Sequence, residues 1–285
     1  MGFFSRLTAK FTKKKEVPVL GLALGSGGAK GMAHVGILKA FEEEGISFKT
    51  VTGTSIGSIV GALYTKGYTS RDMIEIVENL NRKEFAKNLR PFSDMDFAEE
   101  FIGQYVEGNI GELPLPYAAW ATNAETNEGV PLKSGNAAKA CAASSAIPPF
   151  FKSVTIDGVK LFDGAFTNSV PADLCKELGA KFVIGVDLGA FTKPEEEKSR
   201  FSRLLGSAIN AFVSVKYTED SKSRGYAAAD FMLRPNLYDF RATDVSVEAM
   251  NKMYEIGYRE ARAHMDEIKT ALENAGILSA KKRKS

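Results

Sequence analysis

Residues 19–31 read VLGLALGSGGAKG, an apolar run that ends in a cluster of glycines. A short apolar run that stops at glycine is typical of a buried β-strand. The residues that follow, 29–44, repeat apolar side chains at helical spacing and stop at Gly45, a residue type that commonly ends a helix. This stretch therefore predicts a strand, a glycine-rich turn and a helix in direct succession.

The same arrangement follows at once in the next part of the chain. Residues 48–52 are predicted to form a second strand, and residues 55–66 a second helix that ends before Gly67. Two strand–helix units in such short order require right-handed crossovers and therefore a parallel sheet. The sequence thus predicts an α/β fold.

Further elements are predicted along the rest of the chain. Residues 70–112 are mainly helical in pattern and could form a cap over the sheet. A hairpin over residues 154–162 is expected to turn at Asp157-Gly158. The remaining expected elements are strands over 117–123, 129–133 and 182–188, and helices over 134–145, 199–226 and 246–275.

Composition narrows the class of protein. The chain has 285 residues, 44% of them hydrophobic, which suffices for one large domain with a full core. A formal net charge of +2 is too small to indicate a nucleic-acid partner. Cys141 and Cys175 have neither metal-ligand spacing nor a disulfide pattern, so we expect buried thiols. No secretory leader, myristoylation pattern or run of about 18 apolar residues is present, which favours a cytoplasmic location.

The two ends of the chain are basic and are predicted to lie outside the main domain, which we place at residues 17–275. Residues 1–16 form an amphipathic arm whose helix would lie on an anionic membrane surface. A disordered leader, or a helix packed on its own domain, explains the same pattern. Residues 276–285 are interpreted as a solvated basic tail. We interpret an apolar stripe within 199–226 as part of the core. A homodimer surface is the alternative interpretation.

Ser55 is the main candidate for chemistry, within Gly53-Thr54-Ser55-Ile56-Gly57. It falls between a predicted strand and a predicted helix. A tight turn there exposes a serine hydroxyl and leaves room only for small residues two positions away on each side. Gly53 and Gly57 occupy those two positions. This pattern predicts a nucleophile elbow, with the helix dipole favouring a serine alkoxide.

The glycine turn from Gly25 to Gly31 can aim several backbone N–H groups at one anion. A phosphate would suit such a turn, but neither the P-loop spacing nor the dinucleotide fingerprint is met, because Lys30 stands at the decisive position in both. We therefore favour an oxyanion hole formed by the N–H groups of Gly27, Gly28 and Ala29.

The base that would activate Ser55 is predicted to be a carboxylate. The chain has only two histidines. His34 is expected to pack within its helix, and His264 is expected to be exposed on a charged helix. Asp163 ends the second strand of the predicted hairpin and is followed by Gly164-Ala165, which lets other backbone approach closely. An Asp-Gly dipeptide is often only a turn.

Four ordered blocks and one shorter segment give the chain a family resemblance. Over roughly residues 18–265 it resembles a bacterial patatin-like phospholipase. The blocks are Gly27-Gly28-Ala29-Lys30-Gly31, Gly53-Thr54-Ser55-Ile56-Gly57, Ala143-Ser144-Ser145-Ala146-Ile147-Pro148-Pro149-Phe150, and Asp163-Gly164-Ala165 with Asn168 and Pro171, and the shorter segment is Ala121-Thr122-Asn123.

The resemblance implies a Ser55–Asp163 dyad in a three-layer α/β/α fold with a mainly parallel central sheet and a helical cap. It also implies hydrolysis of acyl esters of phospholipids or lysophospholipids without a metal or cofactor. Ser169 departs from the asparagine frequent in the family, which puts the hydrogen bonding around Asp163 in question. A regulatory protein that binds acyl lipids with little turnover, a membrane-recruited interaction module and an acyltransferase stay open as alternatives.

Overall fold

The computed structural model describes residues 19–80, 92–189, 225 and 227–279. Eight strands lie in these ranges and belong to one sheet. In chain order they are β1 (Leu20–Leu24), β2 (Thr50–Thr54), β3 (Tyr117–Asn123), β4 (Gly129–Leu132), β5 (Val154–Ile156), β6 (Val159–Asp163), β7 (Phe182–Val186) and β8 (Phe231–Leu233).

The helices of the described ranges connect these strands. They are α1 (Met32–Glu43), α2 (Ile56–Lys66), α3 (Ser70–Glu78), α4 (Asp96–Gly103), α5 (Ala137–Ser144), α6 (Ala172–Glu177), α7 (Val247–Ala263) and α8 (Met265–Asn274). Three short 3-10 turns occupy Gly28–Gly31, Ile110–Glu112 and Gly164–Phe166.

The sheet is mixed, with a parallel centre. Its strand order is β5-β6-β3-β2-β1-β7-β8, and β4 also pairs with β3. The pairings among β3, β2, β1, β7 and β8 are parallel, whereas β4, β5 and β6 are joined by antiparallel pairings. The predicted α/β fold with a mainly parallel central sheet is therefore confirmed.

Helices cover both faces of the sheet. Leu22 and Leu24 of β1 point into the large core that contains α1 and α2. Ala23, between them, points the other way and packs with Ala172 and Cys175 of α6. Because side chains alternate along a strand, the two cores lie on opposite faces. The three-layer α/β/α architecture is confirmed, and both cysteines are buried and free.

Helix α1 is fixed by a very close crossing with α7. A Cβ atom added to Gly36 of α1 would collide with the carbonyl oxygen of Tyr254, and one added to Gly257 of α7 would collide with that of Ala33. Only glycine allows the two backbones to approach this closely. The crossing matters for the site because α1 follows directly from the glycine turn.

Two predicted boundaries are wrong for reasons of tertiary structure. The second strand begins at Thr50, later than predicted, because the Phe48 N–H donates to the Tyr64 hydroxyl at 2.8 Å and does not join a strand ladder. The predicted single helix over 246–275 is two helices that break at His264. This residue bonds the Glu260 carbonyl through Nδ1 at 2.9 Å, and its ring lies edge-on to Phe231.

Other predictions have mixed outcomes. The hairpin turn at Asp157-Gly158 is confirmed, with φ angles of 49° and 80°. Residues 70–112 contain α3 and α4, but 81–91 lie outside the described residues, as do the arm 1–16 and all of the segment 199–226 except Gly225. Within the described part of the chain, no helix combines the length and apolarity that crossing a bilayer requires.

Candidate active site

Ser55 has a strained backbone. It connects β2 to α2 with φ 55° and ψ −128°, a conformation that non-glycine residues rarely adopt. Such a residue costs about 1–3 kcal/mol and persists only where the surrounding structure enforces it. The strain marks Ser55 as a functional candidate, since a serine without a special role would relax.

The two glycines around Ser55 are required by steric contact. A Cβ atom at Gly53 would collide with the carbonyl oxygen of Gly57, and a Cβ at Gly57 would collide with that of Leu24. Both glycines thus allow the start of α2 to lie against the ends of β1 and β2. This close packing produces the sharp turn that the sequence pattern predicts.

Hydrogen bonds hold the Ser55 backbone from both sides. Its N–H donates to the Ser144 hydroxyl at 2.8 Å, and that hydroxyl donates to the Trp120 carbonyl at 2.7 Å. The Ser58 hydroxyl donates to the Ser55 carbonyl at 2.6 Å. Sequence reasoning gave Ser144 no role. Its only signal was its position in the alanine-rich block of the family resemblance.

Strand register brings Asp163 to Ser55. Thr54 of β2 lies opposite Trp120 of β3, and Asp163 of β6 lies opposite Ala121, the next residue. Because β4 pairs with both Trp120 and Ala121 on one edge of β3, β2 and β6 must meet end to end on the other edge. Residues 108 positions apart in sequence are therefore neighbours in space.

Packing around Gly164 supports the same placement. A Cβ atom there would lie 3.0 Å from the Thr54 side chain and would collide with the Trp120 carbonyl. The Asp163 side chain is 1% exposed, and its Oδ1 accepts a 2.8 Å hydrogen bond from the Ala165 N–H. Its second oxygen, Oδ2, has no hydrogen-bond partner among the described residues.

Burial makes Asp163 an unusually strong carboxylate base. Removal from water raises the pKa of this carboxyl group from 3.8 to about 6. The Ser55 hydroxyl and the Ala165 N–H lower the pKa in the opposite direction by stabilising the charged form. Strand register and the Gly164 contact bring Ser55 near this carboxylate, although the pair does not meet the geometry of a formal hydrogen bond. Catalytic hydrogen bonds are often long before substrate binds.

The glycine turn lies beside the elbow at the carboxyl ends of the parallel strands. A Cβ atom at Gly57 would lie 2.6 Å from the Gly25 carbonyl oxygen. The N–H groups of Gly27 and Gly28 have no backbone acceptor among the described residues. Ala29 differs, because its N–H donates to the Ala242 carbonyl at 2.8 Å. The N–H groups of Gly27 and Gly28 therefore have no competing backbone acceptor in the described residues. The Ala29 N–H could bind an oxyanion only if its hydrogen bond to Ala242 broke.

Lys30 is a charged residue of the turn that sequence reasoning left without a role. It is 8% exposed, and burial lowers its pKa, while the nearby Asp187 and Asp244 raise it in part. Asp187 follows β7 and Asp244 belongs to the segment that carries Ala242. The Lys30 ammonium group therefore interacts electrostatically with the residue after β7 and with the segment that carries Ala242.

The hydrogen bonds near Asp163 do not involve the side chains of Asn168 or Ser169. The Asn168 amide donates to Asp173 at 2.7 Å, and the hydroxyls of Ser169 and Ser26 share a 2.8 Å hydrogen bond. The serine at position 169 thus contacts the glycine turn. Its departure from the family pattern leaves the Asp163 carboxylate itself untouched.

Neither histidine of the chain is placed to serve Ser55. His34 lies in α1, is fully buried and bonds the Gly25 carbonyl. His264 lies between α7 and α8 and bonds Glu260, and it is half-buried where the sequence predicted exposure. A serine–histidine pair is therefore excluded.

Comparison with known proteins identifies the family of this chain. A family model described as "Patatin-like phospholipase" matches residues 22–176, just over half of the chain. The chain belongs to the patatin-like phospholipase family. The matched range contains the glycine turn, Ser55 and Asp163.

The similar curated proteins include ones from animals and fungi, so the likeness does not single out bacterial members. The chain is 29% identical to Patatin-like phospholipase domain-containing protein 6 of Mus musculus, over 91% of this chain and 21% of that protein. It is 26% identical to Lysophospholipase NTE1 of Coccidioides immitis (strain RS), over 94% of this chain and 18% of that protein. The chain thus spans about a fifth of the length of these relatives.

A solved structure shares the fold. VipD from Legionella pneumophila matches with a TM-score of 0.58 and 15% sequence identity, over 88% of this chain and 67% of VipD. At this identity the likeness concerns the fold alone.

Proposed function

We propose that the protein is a serine esterase that hydrolyses acyl esters of phospholipids or lysophospholipids, with Ser55 as nucleophile and Asp163 as base. One observation carries the proposal: a strained, glycine-flanked serine lies beside a buried carboxylate. Both histidines are engaged elsewhere, so the carboxylate takes the part of the base. The proposed reaction uses neither metal nor cofactor.

Acylation begins with proton transfer. The Asp163 carboxylate accepts the hydroxyl proton of Ser55 while the serine oxygen attacks the ester carbonyl carbon. The N–H groups of Gly27 and Gly28 stabilise the oxyanion that forms on the former carbonyl oxygen. Asp163 then returns the proton to the leaving alcohol oxygen, and an acyl-serine ester remains.

Deacylation repeats the same chemistry with water. Asp163 removes a proton from a water molecule, which attacks the acyl-serine carbonyl, and the returned proton restores the serine hydroxyl as the fatty acid leaves. A pKa of about 6 suits both steps. At pH 7 roughly nine-tenths of such a group is ionised, and it is a stronger base than an ordinary aspartate of pKa ~3.9.

The family and its relatives support the proposed substrate class. The family model is described as a phospholipase, and the relative from Coccidioides immitis is named a lysophospholipase. We expect head group and chain length to depend on residues 70–112 and 190–240, of which 81–91, 190–224 and 226 lie outside the described residues. Contact of the arm 1–16 with anionic membrane, a homodimer and a cytoplasmic location stay predictions.

Labelling with a fluorophosphonate tests the nucleophile. We expect the probe to modify wild-type protein on Ser55 and to leave Ser55→Ala unmodified. Ser134→Ala is the matched control, because Ser134 is exposed and lies outside the site. Hydrolysis of a short-chain nitrophenyl ester should fall on the order of 10⁴-fold or more in Ser55→Ala. Labelling of Ser55→Ala at the wild-type rate would refute the proposal.

A panel of glycerolipids with a mass-spectrometric readout tests the reaction type. Release of free fatty acid supports hydrolysis. Labelling of Ser55 without turnover of any ester would instead favour an acyl-binding regulatory protein. Transfer of the acyl chain to an added alcohol in preference to water would favour an acyltransferase.

A further inference from the structure

His34 is a buried ionisable residue that the proposed mechanism does not use. It is the third residue of α1, and its side chain has no exposed surface. Side chains of a helix lean toward the N-terminal end, which here is the glycine turn. The imidazole ring therefore reaches back beneath the residues that precede its own helix.

The ring makes one hydrogen bond. Its Nε2 lies 2.8 Å from the Gly25 carbonyl oxygen. A carbonyl oxygen only accepts, so Nε2 carries the proton. The other nitrogen, Nδ1, has no partner among the described residues. Burial lowers the pKa of His34 to about 4, so the ring is neutral at physiological pH.

The Gly25–Ser26 peptide unit is held at both of its polar atoms. His34 donates to its carbonyl oxygen, and its N–H donates to the Ser169 carbonyl at 3.1 Å. This peptide lies between the end of β1 and Gly27, whose N–H is one of the proposed oxyanion donors. Its orientation therefore sets the direction in which the glycine turn begins.

The same carbonyl also lies against the elbow. A Cβ at Gly57 would lie 2.6 Å from the Gly25 oxygen. The oxygen is thus confined between the imidazole of His34 and the first turn of α2, which begins one residue after Ser55. The His34 hydrogen bond consequently helps to set the spacing between the glycine turn and the nucleophile, together with the Ser26 bond to Ser169.

A histidine is an unfavourable choice for stability at this position. The buried, unpartnered Nδ1 gives up its hydrogen bond to water and receives nothing in return. An apolar side chain of similar size would avoid that loss but would take away the donor to the buried Gly25 carbonyl. The presence of a histidine points to a role in site geometry.

We propose that His34 is a positioning residue that holds the Gly25 carbonyl so that the Gly27 and Gly28 N–H groups converge on the oxyanion of a substrate attached to Ser55. It touches neither substrate nor reacting atoms. The inference rests on the proposed function and names a residue on which the oxyanion hole of that function depends.

Two substitutions separate the hydrogen bond from the packing. In His34→Gln the side-chain amide can place an N–H near the position of Nε2, whereas His34→Met fills a similar volume without a donor. We expect kcat of His34→Met to fall about 10²–10³-fold with little change in KM, the loss typical of a disabled oxyanion hole. We expect His34→Gln to recover most of the activity.

Leu38→Ala is the matched control, since Leu38 lies one turn further along α1 and is equally buried. It should lower the thermal midpoint but keep wild-type kcat below that midpoint. Wild-type kcat in folded His34→Met would overturn the role, as would equal losses in His34→Met and His34→Gln. If His34→Met does not fold, His34→Asn replaces it, because its shorter amide cannot reach Gly25. An inactive, unlabelled wild type would instead refute the proposed function and this role with it.

Discussion

At the scale of single residues, the Asp163 carboxyl group decides how activity responds to pH. Its pKa of about 6 results from burial, and the proposed base works only when ionised. We expect kcat/KM to rise about tenfold per pH unit below pH 6 and to level off above it. A pH–rate profile with a neutral nitrophenyl ester measures this. A profile already level at pH 5 would contradict the assignment.

The same pKa predicts a change of stability with pH. A carboxyl group whose pKa is raised on folding favours the folded state when protonated, so its contribution is complete below about pH 4 and is lost as pH rises through 6. A rise of roughly two pKa units corresponds to about 3 kcal/mol. We expect Asp163→Asn, which cannot titrate, to lose that pH dependence and to be inactive.

Urea unfolding at pH 4 and pH 7.5 measures this second effect. The free energy of unfolding of Asp163→Asn, relative to that of wild type, should increase by about 2–3 kcal/mol from pH 4 to pH 7.5. Asp157→Asn provides a control, because this residue lies in the hairpin turn and is exposed. An equal difference at both pH values would show that Asp163 is not a buried titrating group.

The sequence could indicate Ser55 and its glycines because their requirement is local: a tight turn excludes side chains two residues away. It could not indicate Ser144 or the acceptor of Ala29. Ser144 bonds Ser55 across 89 positions, and Ala242 reaches the glycine turn from the segment between β8 and α7. Neither contact leaves a periodic or spacing signal in the chain.

At the scale of elements, the glycine turn should tolerate no side chain at Gly28. This residue has φ +57°, and an added Cβ would lie 2.5 Å from the Ala242 carbonyl oxygen. We expect Gly28→Ala to destabilise the protein by about 1–3 kcal/mol and to lower ester hydrolysis, since the Ala242 segment must move. Thermal unfolding and nitrophenyl ester turnover measure the two effects.

Gly45 provides a control for this substitution. It has a similar φ of +65°, but nothing lies within 4 Å of an added Cβ. Gly45→Ala should therefore cost only the backbone strain, about 1 kcal/mol, and should keep full activity. Equal stability and equal ester turnover in the two alanine variants would show that the contact with Ala242 does not contribute to either.

Element types were predictable, and element ends were less so. Strands and helices around the glycine turn follow from apolar runs and closing glycines. The late start of β2 and the break between α7 and α8 depend on Tyr64 and Phe231, which approach Phe48 and His264 only in the folded chain. The local sequence pattern around Phe48 and His264 does not indicate these contacts.

At the scale of the whole molecule, sheet topology joins the two halves of the site. The parallel pairing of β2 with β3 could be expected from the repeated strand–helix units. The antiparallel approach of β6 to the same edge of β3 could not, because it depends on register. The sequence therefore predicted Ser55 and Asp163 individually, and the family resemblance predicted that they form a pair. Only the folded structure shows how the strands bring them together.

Charge is distributed very unevenly along the molecule. Residues 1–16 contain five basic residues and one acidic, a net +4, and residues 281–285 contribute another +4. Because the whole chain has a formal net charge of +2, residues 17–280 carry −6. An anionic surface would therefore repel the main domain and attract the two ends. Attraction of this kind is worth about 1 kcal/mol per basic residue near the surface and falls with salt.

Deletion of residues 1–16 tests whether the arm binds membrane. We expect wild-type protein to sediment with vesicles of anionic phospholipid at low salt and to dissociate at high salt, and the deletion variant to stay in the supernatant at both. Its turnover of a dissolved nitrophenyl ester should be unchanged, because the residues of the proposed site, from Gly25 to Asp163, and the Ala242 segment beside it all lie outside the arm. Deletion of residues 281–285 removes an equal charge without the apolar face, so it should weaken sedimentation less. Equal losses from both deletions would mean that charge alone holds the protein to the vesicle, and undiminished sedimentation without residues 1–16 would contradict the role of the arm.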